Sequence, residues 1–163
     1  MLKEGEVAPG FNVTADDGSK VSLADYRGQN VVLYFYPKAN TSGCTHESVE
    51  FRDALKDFEA LNTAIVGCSG DSVEDQTKFK TRYKLNFPLL ADTEFEVVDA
   101  YKARRMKSFF GKSFLGIVRT TFLIGSDGKI RKIWPKVTVK GHAAEVLEAI
   151  RETEPSARAT ATT

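Results

Sequence analysis

The sequence predicts an α/β fold with a mixed central β-sheet flanked by helices, and three observations carry that expectation. Val31 to Tyr36 is β-branched and aromatic on both faces and is stopped by Pro37, the pattern of a strand covered by helices on either side. Phe51, Ala54, Leu55, Phe58 and Leu61 recur at helical spacing, so an amphipathic helix from about Cys44 to Leu61 follows that strand. Ala64 to Cys68 then supplies a second buried strand, and the order of strand, helix, strand and helix, closed by a hairpin and a last helix, is that of a layered α/β domain.

Taken from the start, residues 1–30 read as an extended arm that forms a small hairpin: Phe11 to Val13 as a strand, a turn over Asp16 to Ser19, then Val21 to Leu23 in alternation. Beyond the second buried strand, Asp71-Ser72-x-Glu74-Asp75 and Thr93-x-x-Glu96 are helix starts of capping-box type, opening segments that end near Tyr83 and Tyr101. Between them Phe87 to Leu90 is strand-like, and Pro88 confines it to a strand end or an edge. Residues 102–117 are basic, aromatic and glycine-containing, which reads as a long surface loop. Its Arg104-Arg105-Met106-Lys107 cluster reads as a solvated face. Its Phe109, Phe110 and Phe114 are either loop anchors or a pocket wall. Arg119 to Ile124, a turn over Gly125 to Gly128, and Lys129 to Trp134 make a hairpin, and Ala143, Val146, Leu147 and Ile150 mark the last helix. One domain over 1–154 and a flexible Ala/Thr-rich tail over 155–163 are expected.

A chain of 163 residues with 42% apolar and 28% charged residues has the composition of one globular domain. With 23 basic and 22 acidic residues the net charge is +1, which argues against nucleic acid or an anionic membrane as the main partner. The longest apolar run, Val31 to Tyr36, falls far short of the roughly 20 residues that span a bilayer. The first residues, Met1 to Glu6, carry two acids and no apolar signal core, so a cytoplasmic location is expected. Two cysteines are too few for a disulfide scaffold, and no metal-ligand spacing accompanies them.

The chemistry is concentrated in Tyr36-Pro37-Lys38-Ala39-Asn40-Thr41-Ser42-Gly43-Cys44-Thr45-His46-Glu47, at the carboxyl end of a buried strand, where sites collect in α/β sheets. Cys44 in the first helical turn would place its sulfur beside unpaired N–H groups and the positive end of the helix dipole, both of which favour a charged sulfur. Thr41, three residues earlier, can cap that helix or aim its hydroxyl at the sulfur. Pro37 can simply end the strand. Arg119 opens a strand and can supply a cation, and Glu47, one turn beyond Cys44, would repel a thiolate unless a cation such as Arg119 holds it. His46 lies two positions from Cys44 and does not share its helix face, so no cysteine–histidine pair is expected.

Pro37-x-x-x-Thr41-x-x-Cys44 with a distant Arg119 resembles the active site of the peroxiredoxins, thiol peroxidases on a thioredoxin-like fold. Tyr34-Phe35-Tyr36-Pro37-Lys38, Gly43-Cys44-Thr45-x-Glu47, Lys84-Leu85-x-Phe87-Pro88-Leu89-Leu90-x-Asp92, Gly116-Ile117-x-Arg119-x-Thr121-Phe122-Leu123-Ile124 and Val139-Lys140-Gly141-His142-Ala143 resemble the bacterioferritin-comigratory or peroxiredoxin Q branch. The resemblance runs from Leu2 to about Arg151. It implies that Cys44 attacks the peroxide and becomes a sulfenic acid. Thr41 and Arg119, with the Gly43 and Cys44 amides, would bind the peroxide, Pro37 would shield the sulfur and Glu47 would orient Arg119. It implies no metal, haem, flavin or other cofactor, a thioredoxin, a glutaredoxin or a low-molecular-weight thiol as reductant, and a monomer, with a weak dimer through the active-site loops as the alternative.

Two positions depart from that branch. Val49 stands where many members carry a resolving cysteine, five residues after Cys44, and Ser42 replaces a common proline. The expectation is a one-cysteine cycle. Two other readings stay open: Cys68 as the resolving thiol of a two-cysteine peroxidase, and a redox sensor or binding module that uses Cys44 without bulk turnover.

Overall fold

The structure is a computed structural model that describes residues 2–153; the expected tail lies outside the described residues. A short hairpin comes first, β1 (Asn12–Thr14) with β2 (Lys20–Ser22), antiparallel. A 3-10 turn over Leu23–Tyr26 leads into β3 (Asn30–Phe35), every residue of which is buried. Then follow α1 (Ser42–Ala60), β4 (Thr63–Ser69), α2 (Val73–Tyr83), β5 (Leu89–Ala91) and α3 (Glu96–Ala100). The remaining elements are β6 (Arg104–Phe109), β7 (Lys112–Ile117), β8 (Thr120–Ile124), β9 (Ile130–Trp134) and α4 (His142–Thr153).

The central sheet has the order β5-β4-β3-β8-β9. β3, β4 and β5 are mutually parallel, whereas β8 runs antiparallel to β3 and β9 to β8, so the sheet is mixed as expected. Because side chains alternate along a strand, β3 feeds two separate cores. Val32, Tyr34 and Tyr36 pack with Phe51 and Phe58 of α1, Phe79 of α2 and Val146 and Ile150 of α4. Val31, Leu33 and Phe35 pack on the other face with Val97 and Val98 of α3, Tyr101, Phe122 and Ala15. None of the helices among the described residues is long and apolar enough to cross a membrane.

Two local expectations are corrected. Residues 102–117 are not a loop: β6 and β7 form an antiparallel ribbon in register from Arg104–Ile117 to Phe109–Lys112. Among the described residues its strands pair only with each other and its outer half is exposed on both faces, so both faces mix charged and apolar residues and the period of two is masked. The helix after β5 does not start at a Thr93 box. Phe95 is the N-cap, at φ 58°, and makes no side-chain cap; the carboxylate of Asp92 instead accepts from the Val98 amide at 2.8 Å.

Candidate active site

Topology brings the predicted residues together. β3 ends at Phe35, the chain turns through Pro37 to Thr41, and α1 begins, placing Cys44 in its first turn. Thr120 of β8 pairs with Phe35, so Arg119, one residue earlier in a strand running the opposite way, emerges at the same edge of the sheet. Arg119 Nη1 donates to Cys44 Sγ at 3.3 Å and to Glu47 Oε1 at 3.2 Å. Gly43 makes that approach possible, since a Cβ there would sit 2.9 Å from Arg119 Nη2. The first intrahelical bond runs from the Thr45 amide to the Thr41 carbonyl at 2.9 Å, leaving the amides of Ser42, Gly43 and Cys44 without intrahelical partners.

Electrostatically the cluster is one cation between two acids. Burial pushes the Glu47 carboxyl up to about 7, against the opposing pull of Arg119, and Glu47 Oε2 has no hydrogen-bond partner. Burial works against the Arg119 charge, but the Cys44 and Glu47 charges outweigh it and raise the guanidinium. Under this group lies Tyr34, whose hydroxyl meets Ser48 Oγ at 2.7 Å; burial holds that phenol neutral. Thr41 occupies the N-cap position without capping, and its hydroxyl donates to the Lys38 carbonyl at 2.7 Å. Neither role expected for it alone, cap or hydrogen bond to the sulfur, is seen. Among the described residues no hydrogen bond is donated to that oxygen. Pro37 is half-buried at the strand end.

Comparison with known proteins places this geometry in context. The model of the AhpC/TSA family matches residues 5–133. The chain belongs to the AhpC/TSA family. It is similar to the peroxiredoxin Bcp of Bacillus subtilis strain 168, 44% identical over 151 residues that cover 93% of this chain and 96% of the relative. The peroxiredoxin Bcp of Escherichia coli K12 is 38% identical over 151 residues, covering 93% and 97%. Among solved structures, Xylella fastidiosa PrxQ superposes with a TM-score of 0.89 at 33% identity, covering 93% and 97% of the two chains. The Xanthomonas campestris bacterioferritin comigratory protein gives 0.83 at 34%, covering 87% and 90%. The chain is thus a peroxiredoxin, a thiol-dependent peroxidase on a thioredoxin-like fold.

The second cysteine of this peroxiredoxin is placed differently. Cys68 sits at the end of β4 opposite Phe35, and it packs with Val66, Leu90 and Tyr101 in the core on the far side of the sheet from Cys44. Both thiols are free and buried. Burial, with the Asp92 charge behind it, pushes the Cys68 thiol well above its ordinary range.

A hydrogen-bonded support under the loop was not legible in the sequence. Asp71 Oδ2 accepts from the Ala39 amide at 2.8 Å and from Ser69 Oγ at 2.6 Å. Gln76 reaches the same serine at 2.9 Å and accepts from the Tyr36 hydroxyl at 2.6 Å. Asp71 precedes the N-cap Ser72, which accepts from the Asp75 amide at 3.2 Å, so its sequence signal was absorbed by the helix start beside it. No spacing rule pairs it with Ala39, 32 residues away.

Proposed function

We propose that Cys44 is the peroxidatic nucleophile of a one-cysteine cycle that reduces hydrogen peroxide and organic hydroperoxides at the expense of an external thiol. The supporting observation is the single guanidinium nitrogen of Arg119 shared by Cys44 Sγ at 3.3 Å and Glu47 Oε1 at 3.2 Å. A cation fixed against the sulfur stabilises the thiolate, and the partly buried setting strengthens the interaction over its value in water.

In the first step the Cys44 thiolate attacks the terminal peroxide oxygen. The S–O bond forms as the O–O bond breaks, and the departing oxygen takes a proton to leave as water or an alcohol. The unpaired Gly43 and Cys44 amides and Arg119 stabilise the charge that develops on the two oxygens. Thr41, whose own proton is committed to Lys38, accepts a hydrogen bond from the peroxide hydroxyl and so orients the attacked oxygen, which keeps its hydrogen in the sulfenic acid. Pro37 keeps water off the sulfur, and Glu47 holds Arg119 in place. In the second step a thiol attacks the sulfenic sulfur, water departs and a mixed disulfide forms. A second thiol equivalent releases the external disulfide and restores Cys44. A thioredoxin, a glutaredoxin or a low-molecular-weight thiol meets that requirement, and no cofactor enters, since the sulfur carries both electrons.

Cys68 is assigned a structural role in this reading. A disulfide needs Cα atoms within about 7 Å, and the two sulfurs face opposite cores. The organic half of the substrate range is supported by the Xanthomonas relative, whose structural study concerns alkyl peroxide reduction. A monomer acting in the cytoplasm completes the proposal.

The test is stoichiometric. With excess cumene hydroperoxide and excess dithiothreitol, wild type and Cys68→Ser consume peroxide for many turnovers, and Cys44→Ser consumes none. A wild type that stops near one equivalent is a redox sensor and sinks the peroxidase cycle.

A further inference from the structure

The ribbon of β6 and β7 is the least explained part of the molecule. Its strands pair only with each other, yet its outer half carries the largest exposed apolar side chains of the ribbon: Phe110 is 90% exposed, Phe109 64%, Met106 64% and Leu115 55%. Register sorts them onto both faces. Met106 lies opposite Leu115 on one face, while Phe109, Lys107 and Phe114 share the other.

The turn at the tip is strained in a specific way. Phe110 and Gly111 have φ of 50° and 78°, as in the two-residue hairpin turns in which asparagine or aspartate normally precedes glycine. A bulky aromatic in left-handed backbone is disfavoured, and burial does not compensate for it here, because the side chain is almost fully exposed and its ring lies against Phe109 with centroids 4.4 Å apart.

Charge is segregated onto the same segment. Between Asp99 and Asp127 the chain carries six basic residues and no acid. Arg104 is neutralised by Asp99 at 2.7 Å and Arg119 by Glu47 at 3.2 Å. Among the described residues Lys102, Arg105, Lys107 and Lys112 have no carboxylate partner. Arg105 binds Thr120 Oγ1 at 2.7 Å together with the Pro135 carbonyl, and Lys107 binds the Ile117 carbonyl at 3.0 Å. The root is therefore fastened to β8 while the tip stands free.

We propose that the β6–β7 ribbon is a peripheral membrane-docking element that inserts Phe109 and Phe110 into the interface of an anionic bilayer. Exposed aromatics flanked by lysines match the headgroup boundary, where rings partition and cations meet anionic lipid. Apolar side chains on both faces of a narrow ribbon decide for lipid over protein: lipid surrounds an inserted tip, whereas a protein surface covers one face and leaves the other wet. The whole-chain charge of +1 conceals this, because the excess cations sit on one ribbon and the compensating acids elsewhere. β7 leads from its root within two residues into Arg119, so docking of the tip would hold the Arg119 edge of the sheet about one ribbon length, roughly 20 Å, from the bilayer.

The experiment is co-sedimentation of the full chain with vesicles of phosphatidylcholine alone or mixed with phosphatidylglycerol. Wild type is expected to bind the anionic vesicles, to bind the neutral ones weakly and to be released by high salt as the lysine contribution is screened. Phe110→Asn relieves the turn, so it folds at least as well, and by losing one aromatic anchor it should bind the anionic vesicles about tenfold more weakly. Lys107→Gln with Lys112→Gln should weaken the same binding by about tenfold or more. Turnover of cumene hydroperoxide in solution stays unchanged in both variants, so a failure here is separable from a failure of the peroxidase reading. Equal sedimentation of Phe110→Asn and wild type overturns the proposal. So does a wild-type dimer that Phe110→Asn dissociates, with no vesicle binding, since it assigns the ribbon to a second copy.

Discussion

Cys44 and Cys68 are equally hidden from solvent, 1% and 0% exposed, yet the fold gives them opposite surroundings. Cys44 lies where a helix begins, against a guanidinium and unpaired amides. Cys68 lies at the end of a strand in the opposite core, with Asp92 as its charged neighbour. Burial alone does not decide the reactivity of a thiol. The sign of the charge nearby and the orientation of the surrounding backbone dipoles do.

The largest effect separates the two sulfurs outright. Cys44→Ser should reduce peroxide turnover to the rate of the uncatalysed reaction with the reductant, while Cys68→Ser should stay within about twofold of wild type in a steady-state assay. Comparable losses in both would merge the two environments and break the contrast. Next comes the cation. Arg119→Gln keeps a donor but removes the charge, and should lower the second-order rate with peroxide by about 10²–10³-fold in stopped flow. A loss under tenfold would show that the helix terminus alone activates the sulfur.

Glu47 sharpens the comparison through pH. The folded carboxyl titrates near 7, against an ordinary value of 4.5, so between those pH values the native state holds a proton that the unfolded chain has released. Stability therefore falls as pH rises through that window and levels off above it, by about 3 kcal/mol at roughly 1.4 kcal/mol per pH unit. Glu47→Gln should remove this fall, read as a difference from wild type in urea unfolding between pH 4.5 and 7.5. A variant that keeps the wild-type pH profile would place the titration elsewhere. Smallest is the stability change at Cys68. Cys68→Ser should destabilise by about 1–3 kcal/mol by placing a hydroxyl in an apolar layer, and Cys68→Ala by an amount at the lower end of that range.

Legibility in the sequence followed the same division between core and edge. β3, α1, β4, the β8–β9 hairpin and α4 pack on the core, so their apolar periods were readable, and the Thr41, Cys44, Glu47 and Arg119 pattern pointed to the sheet edge where Arg119 meets Cys44 and Glu47. The β6–β7 ribbon was misread as a loop because neither of its outer faces is buried and no period survives. The Thr93 box was misread because Asp92, one residue earlier, accepts from the Val98 amide instead. Asp71 was invisible for a different reason: it holds Ala39 across a turn of the tertiary fold, and local spacing carries no trace of such a contact. The placement of Cys68 was partly readable, since its strand position was evident, but the face it occupies follows from the register of β4 against β3.

The central claim, that Cys44 alone carries the oxidised sulfur, is tested most directly by intact mass under denaturing, non-reducing conditions after one equivalent of peroxide and a sulfenic-acid trap, on wild type and Cys68→Ser. The account predicts one trap adduct, located at Cys44, in both proteins. A wild type that instead loses two hydrogens, while Cys68→Ser gains the trap, would contradict it by showing that the fold opens to join the two sulfurs.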